Sequence, residues 1–111
     1  MYKREKLQKT LEILNKTLDH FGLPKLKKIP KGGICTTNCP VQKALTSCGV
    51  TNVNGCFVLV NNLITFKELV KVWGKNEYDQ GSFKVTTEKH LAEFIHDFDE
   101  GAYPWLILKE Q

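Results

Sequence analysis

The four cysteines are the residues whose type and spacing come closest to forming a chemical site. They are Cys35, Cys39, Cys48 and Cys56. Four thiolates can close a tetrahedral structural zinc site. The intervals Cys-x3-Cys-x8-Cys-x7-Cys, however, are not the paired Cys-x2-Cys units that are typical of such sites. Zinc held by all four cysteines is therefore an alternative interpretation.

A helix predicted between the cysteines argues against that zinc site. Pro40 suits the first helical position, which makes Cys39 the N-cap, and Gly49 suits the position after the last turn. At about 1.5 Å per residue, such a helix separates Cys39 from Cys48 by about 13 Å. Sulfurs bound to one zinc lie within about 4 Å of one another. We therefore expect no metal or cofactor. Cys48 and Cys56 are expected to be small apolar core residues, with a disulfide between them as the alternative.

Cys39 is the one cysteine in a position that could support catalysis. A helix N-terminus lowers the pKa of a thiol placed there. Nucleophilic catalysis also requires a base, and none of His20, His90 and His96 lies in a recognisable catalytic context. The sequence therefore predicts that the protein is not an enzyme, with a thiol activity of Cys39 as the alternative.

Basic residues are concentrated in the first third of the chain. Residues 1–33 contain nine Lys or Arg and three Asp or Glu, whereas the remainder contains seven and nine. We call residues 23–33 the basic strap, because two prolines and a Gly-Gly pair predict a loop there. Its candidate binding residues are Lys25, Lys27, Lys28 and Lys31. They could follow a phosphate backbone, but the strap has no aromatic residue for base stacking. Alternatively, Leu26 and Ile29 hold a solvated strap against the body.

Hydrophobic periodicity predicts the elements that would position these residues. A narrow apolar stripe predicts an N-terminal helix over about 3–21, which packs on its own domain or forms a homodimer. Residues 65–73 fit a helix with a Thr65–Glu68 capping box, or a strand. The other predicted elements are a helix over 40–48, an Asn54-Gly55 hairpin of type I′, a strand over 82–85, a helix that is capped by Thr86 or Thr87 and extends to Phe98, and a strand over 105–108.

These elements predict one α+β domain over residues 1–111, with about three or four helices packed on a small, largely antiparallel sheet. Asp97, Asp99 and Glu100 at the end of the last helix are expected to be solvated or to dock onto the basic strap. No apolar run approaches the roughly 20 residues of a membrane span. The charged N-terminus is unlike a signal peptide. We therefore expect a cytoplasmic protein with reduced thiols.

Two islands of the sequence resemble small uncharacterised proteins encoded by bacteriophages and bacteria. The first is Asn38-Cys39-Pro40-Val41 with Ala44-Leu45. The second is Phe94-Ile95 with Phe98-Asp99-Glu100-Gly101 and Tyr103-Pro104-Trp105. The resemblance covers about half of the chain. It implies a phage or mobile-element origin and an α+β fold, and it implies no known activity.

The functional prediction is a small non-enzymatic binding protein. If it is phage-encoded, we expect a modulator that binds a host protein in the host cytoplasm. The first alternative is a nucleic-acid-binding module that uses the Lys25–Lys31 segment. The second alternative is a module stabilised by zinc.

Overall fold

The computed structural model describes residues 2–33, 38–74 and 83–107. Within them are four α-helices and one three-stranded antiparallel sheet, which confirms the predicted α+β class. The helices are α1 (Tyr2–His20), α2 (Pro40–Leu45), α3 (Leu63–Trp73) and α4 (Lys89–Asp99). The strands are β1 (Val50–Val53), β2 (Phe57–Val60) and β3 (Lys84–Thr86). Two 3-10 helices follow α2 and α4, at Thr46–Cys48 and Pro104–Leu106.

One apolar core joins the sheet to all four helices. The strands run in the order β1-β2-β3, and Val58 of β2 pairs with Val53 of β1 and with Val85 of β3. Helix α2 packs on β1, α3 packs on β2 and β3, and α1 contacts the other three helices. The most deeply buried side chains include Leu14, Val41, Leu45, Val58, Leu69, Val85, Leu91 and Phe98.

Helix α1 confirms the predicted N-terminal helix and packs on its own domain. Leu14 and Leu18 are buried, while Leu7 and Leu11 at the N-terminal end of the stripe remain partly exposed. Dimerisation through α1 stays a prediction. No helix within the described ranges combines the length and apolarity that a bilayer crossing requires.

The segment after Cys39 confirms the predicted helix boundaries. Sγ of Cys39 accepts a hydrogen bond from the backbone N–H of Gln42 at 3.4 Å, as an N-cap does. The last turn narrows to a 3-10 helix and ends at Gly49, whose φ is +107°. The amide of Gln42 donates to the carbonyl of Val50 at 3.0 Å, which fixes α2 against β1.

Residues 65–73 are helical, but the Thr65–Glu68 capping box is wrong. Helix α3 begins earlier, because Oδ1 of Asn62 accepts from the backbone N–H of Thr65 at 2.8 Å. Thr65 is buried in the first turn, and its hydroxyl donates to the carbonyl of Cys48. Asparagine is a strong N-cap, and Asn62 precedes Thr65 by three residues, so the helix begins before Thr65.

The hairpin is confirmed, whereas its turn type and the burial of Cys56 are wrong. A type I′ turn requires positive φ at both central residues, and neither Asn54 nor Gly55 has it. Instead, Oδ1 of Asn54 accepts from the backbone N–H groups of Cys56 at 2.7 Å and Phe57 at 2.9 Å. The turn therefore includes Cys56, which is exposed, and the buried strand begins after it.

Two predictions near the C-terminus are also wrong. Glu88 caps α4, and its Oε1 accepts from the backbone N–H groups of His90 and Leu91. Thr87 instead donates to the carbonyl of Asn54 at 2.8 Å. The predicted strand over 105–108 is a 3-10 helix that starts at Pro104, followed by a single parallel bridge from Ile107 to Gly32. A proline at the first helical position favours that turn. Leu108 lies outside the described residues.

Candidate binding groove

The basic strap is held against the body by a side-chain clamp from α1. The amide of Asn15 donates to the carbonyl of Leu26 at 3.0 Å, and its oxygen accepts from the N–H of Leu26 at 2.7 Å. Ile29 is buried at 7% exposure, and Leu26 is half-buried. Ile29 and Leu26 therefore hold the strap to the body, as the second interpretation of the strap expects.

The far end of the strap is fixed by a close backbone approach. The N–H of Gly32 donates to the carbonyl of Leu106 at 2.9 Å. A Cβ at Gly32 would lie 2.5 Å from the carbonyl oxygen of Asn38 and 2.7 Å from the nitrogen of Pro40. Only glycine fits where backbone atoms come this close. Clamped at both ends, the strap runs beside α1 as a fixed wall.

A groove of about 510 Å³ lies between the N-terminal half of α1 and the strap. Helix α1 contributes Arg4, Leu7, Gln8 and Leu11. The strap contributes Lys27, Lys28, Ile29, Pro30 and Lys31, and the C-terminal 3-10 helix adds Trp105 and Leu106. The volume is within the roughly 300–1,000 Å³ of typical ligand sites. Six of the lining residues are apolar, so the groove can take up apolar groups.

The charged residues of the groove are all cations. They are Arg4, Lys27, Lys28 and Lys31, and each is exposed. No Asp or Glu is among the described residues that line it. Exposed cations without neighbouring carboxylates create a positive potential that attracts anionic partners. The groove thus combines an apolar lining with a basic rim.

Trp105 is an aromatic residue of the groove that the sequence did not predict as a binding residue. It is 55% exposed, and its ring lies edge-on to Tyr103 with centroids 5.7 Å apart. Tyr103 is fully buried and stacks on Phe94 at 5.3 Å, so Trp105 rests on a rigid support. The sequence treated Trp105 as part of a strand. The available signal was Pro104, which favours a 3-10 turn and not a strand at Trp105. Because Trp105 is more than 70 residues from the strap in sequence, no local pattern indicates that the two lie side by side.

The four candidate lysines do not all belong to the groove. Lys27, Lys28 and Lys31 line it, whereas Lys25 lies on the strap before the Asn15 clamp and is not among the lining residues. The groove also includes Arg4 from α1, which the sequence did not single out.

The acidic end of α4 does not dock onto the strap through Asp97, so that interpretation is wrong for this residue. Nζ of Lys6 on α1 lies 3.1 Å from Oδ2 of Asp97. Partial burial raises the pKa of Asp99 above its ordinary value. Glu100 is exposed and lies 4.0 Å from Nε2 of His96. The acidic residues are therefore engaged with α1 and solvent, and the groove keeps its positive charge.

Three cysteines lie in the described ranges, and they differ in their exposure to solvent. Cys39 and Cys48 are 3% and 5% exposed, and burial raises the pKa of Cys48 to about 11. Cys56 is exposed at the hairpin turn. In the described ranges no three His, Cys, Asp or Glu residues are grouped as metal ligands. Cys35 lies outside these ranges, so a zinc site built on all four cysteines stays a prediction.

No family model, no curated protein and no solved structure matches this chain.

Proposed function

We propose that this is a non-enzymatic binding protein that holds a protein partner in the groove between α1 and the basic strap. The observation that carries the proposal is that the described lining combines four exposed cations with six apolar residues and contains no carboxylate. Apolar contacts supply affinity, and the cations supply attraction to an anionic partner. The thiol of Cys39 is buried and accepts a backbone hydrogen bond, which supports a structural role for it.

A protein partner fits the lining better than a nucleic acid does. Proteins that bind single strands stack successive bases on several aromatic side chains, whereas the described lining of this groove includes one, Trp105. Its other apolar residues are aliphatic, and they suit the apolar side chains of a protein. That the partner is a host protein rests on the resemblance to phage-encoded proteins.

The test is capture of partners from a lysate by charge-reversal variants. The groove variant carries Lys27→Glu, Lys28→Glu and Lys31→Glu. The matched control carries Lys16→Glu, Lys25→Glu and Lys67→Glu, which changes the net charge equally at exposed lysines outside the groove.

The groove variant should lose the captured protein, and the control should keep it, with unchanged circular dichroism in both. Nuclease treatment should leave the capture intact. Equal capture by the groove variant and the wild type would refute the groove as the binding site.

Single-stranded nucleic acid is the second candidate, because Trp105 supplies the aromatic surface that the strap lacks. If the four cations each neutralise a phosphate, the slope of log K against log salt should be about −3. Trp105→Ala should cost about 1–3 kcal/mol for one stacked base. Capture that nuclease abolishes, with this salt slope, would favour nucleic acid over protein.

A further inference from the structure

We infer that the occupant of the groove is an acidic amphipathic helix of the partner protein, an inference that rests on the proposed function. Its apolar face would lie on Leu7, Leu11 and Trp105, and its carboxylates would meet Lys27, Lys28 and Lys31. The lengths of the two walls, the shape of the strap and the distribution of charge support this occupant.

The length of the groove matches two turns of a helix. From Arg4 to Leu11, the wall formed by α1 extends about 10 Å, at about 1.5 Å per residue. From Lys27 to Lys31, the strap can extend at most about 14 Å. Two turns of a helix cover about 11 Å and present side chains i, i+3 or i+4, and i+7 on one face. An occupant with this spacing can place about three apolar side chains along the groove.

The shape of the strap argues against an extended peptide. An added strand needs a straight edge with free backbone donors. The strap bends at Lys27 and Lys28, and Pro30 has no N–H. The N–H groups of Leu26 and Gly32 donate to Asn15 and to the carbonyl of Leu106. The groove therefore recognises side chains and not a backbone, and a helix presents its side chains on one face.

The partly exposed leucines of α1 favour the same occupant. Leu7 and Leu11 are one turn apart, so their side chains form a ridge along the groove. Ridges of this type pack into the grooves of another helix. The groove thus offers a helical wall on which a second helix can pack in the usual way.

The distribution of charge favours an acidic helix and predicts which flank of that helix carries its carboxylates. Three cations lie on the strap wall, and one, Arg4, lies on the α1 wall. The occupant should therefore carry most of its carboxylates on the flank that faces the strap. The described residues of a second copy do not supply such a helix, because α1, α2 and α3 each have a net positive charge and the apolar face of α4 is buried in its own core.

The experiment is selection from a random 14-residue peptide library displayed against the full chain. Peptides are selected on the wild type and subtracted on the groove variant Lys27→Glu, Lys28→Glu, Lys31→Glu. We expect the enriched peptides to have net negative charge and apolar residues at helical spacing. The absence of groove-dependent peptides, or enriched peptides that are basic or alternate strictly between apolar and polar residues, would overturn the inference.

Titration of one enriched peptide then tests the charged part and the apolar part of the contact separately. Replacing its Asp and Glu by Asn and Gln should weaken binding at least tenfold. Trp105→Ala should also weaken it at least tenfold, whereas Ile64→Ala, which removes a side chain of 74% exposure elsewhere, should not. Equal losses from the two alanine variants would overturn the inference.

A parallel titration with an oligothymidine of 14 nucleotides separates the inference from the proposed function. If the oligonucleotide binds in a groove-dependent way and no peptide or protein does, the helical occupant and the protein partner are both refuted. The groove would then be a nucleic-acid site. If lysate capture, peptide binding and oligonucleotide binding are all unaffected by the groove variant, the proposed function fails as well.

Discussion

Asn15→Ala is the substitution that best tests how the groove is built. Asn15 does not line the groove, but its amide makes two hydrogen bonds to the backbone of Leu26, at 3.0 and 2.7 Å. These bonds hold the strap beside α1. The alanine variant should therefore loosen the strap and weaken binding in the groove without removing any contact to the partner.

The expected magnitude follows from the two bonds and the helix. Each hydrogen bond contributes about 1 kcal/mol net, so losing both costs about 2 kcal/mol. Alanine is a better helix former than asparagine by about 0.6 kcal/mol, which offsets part of the loss. The free energy of unfolding should therefore fall by about 1.5 kcal/mol.

Urea denaturation measures the stability, and amide hydrogen exchange of Leu26 measures the clamp itself. Asn15→Asp should keep the Leu26 amide protected, because a carboxylate oxygen still accepts from it, but should lose stability by facing the Leu26 carbonyl. Lys16→Ala, at the next exposed position of the helix, should stay within about 0.5 kcal/mol of the wild type. If Asn15→Ala matches Lys16→Ala in both stability and Leu26 exchange, the clamp does not hold the strap.

Three further predictions concern the body of the protein. Thr17→Val should cost about 1–3 kcal/mol, because the indole N–H of Trp73 loses its acceptor at 2.9 Å in the core. Gly49→Ala should lower the free energy of unfolding by more than the roughly 1–2 kcal/mol that a left-handed conformation costs a residue with a Cβ. The added Cβ would also lie 2.8 Å from the hydroxyl oxygen of Thr65 in α3. Hydrogen bonds with His20 and Lys71 lower the pKa of Glu68 below its ordinary value of 4.5. The contribution of the Glu68 carboxylate to stability is therefore present above pH 4.5 and disappears as the pH falls through the lowered pKa.

Each of these has a matched comparison, measured by urea denaturation. Thr10→Val changes an equally buried threonine of α1 and should cost less than Thr17→Val; equal costs would contradict the role of the indole bond. Gly74→Ala, at φ +73° with open space around it, should be milder than Gly49→Ala, and the reverse order would contradict the steric argument. Glu68→Gln should remove part of the stability loss on acidification below pH 4.5, and an unchanged acid limb would show that the pair with His20 is not coupled to folding.

Several elements were predictable because their signals are local. The stripe of α1, the start of α2 at Pro40, the end of the following 3-10 helix at Gly49 and the apolar run of β2 each depend on neighbouring residues. The errors arose where two local signals competed. Asn62 precedes Thr65 as a cap, and Glu88 acts in place of Thr87. In each of these pairs, the sequence shows that both side chains are able to cap a helix, but the path of the backbone decides which of the two does so.

By itself, the sequence determined the class of the fold and the position of the basic strap, and it gave contacts of Leu26 and Ile29 with the body as one of two interpretations of the strap. Only the tertiary structure decided which charges share a surface. It brings Trp105 to lysines more than 70 residues away, and it separates Lys25 from Lys27 within one strap. The physical reason is that a groove is made by packing elements distant in the chain, and its lining depends on the direction each backbone takes, which no local pattern of residues contains.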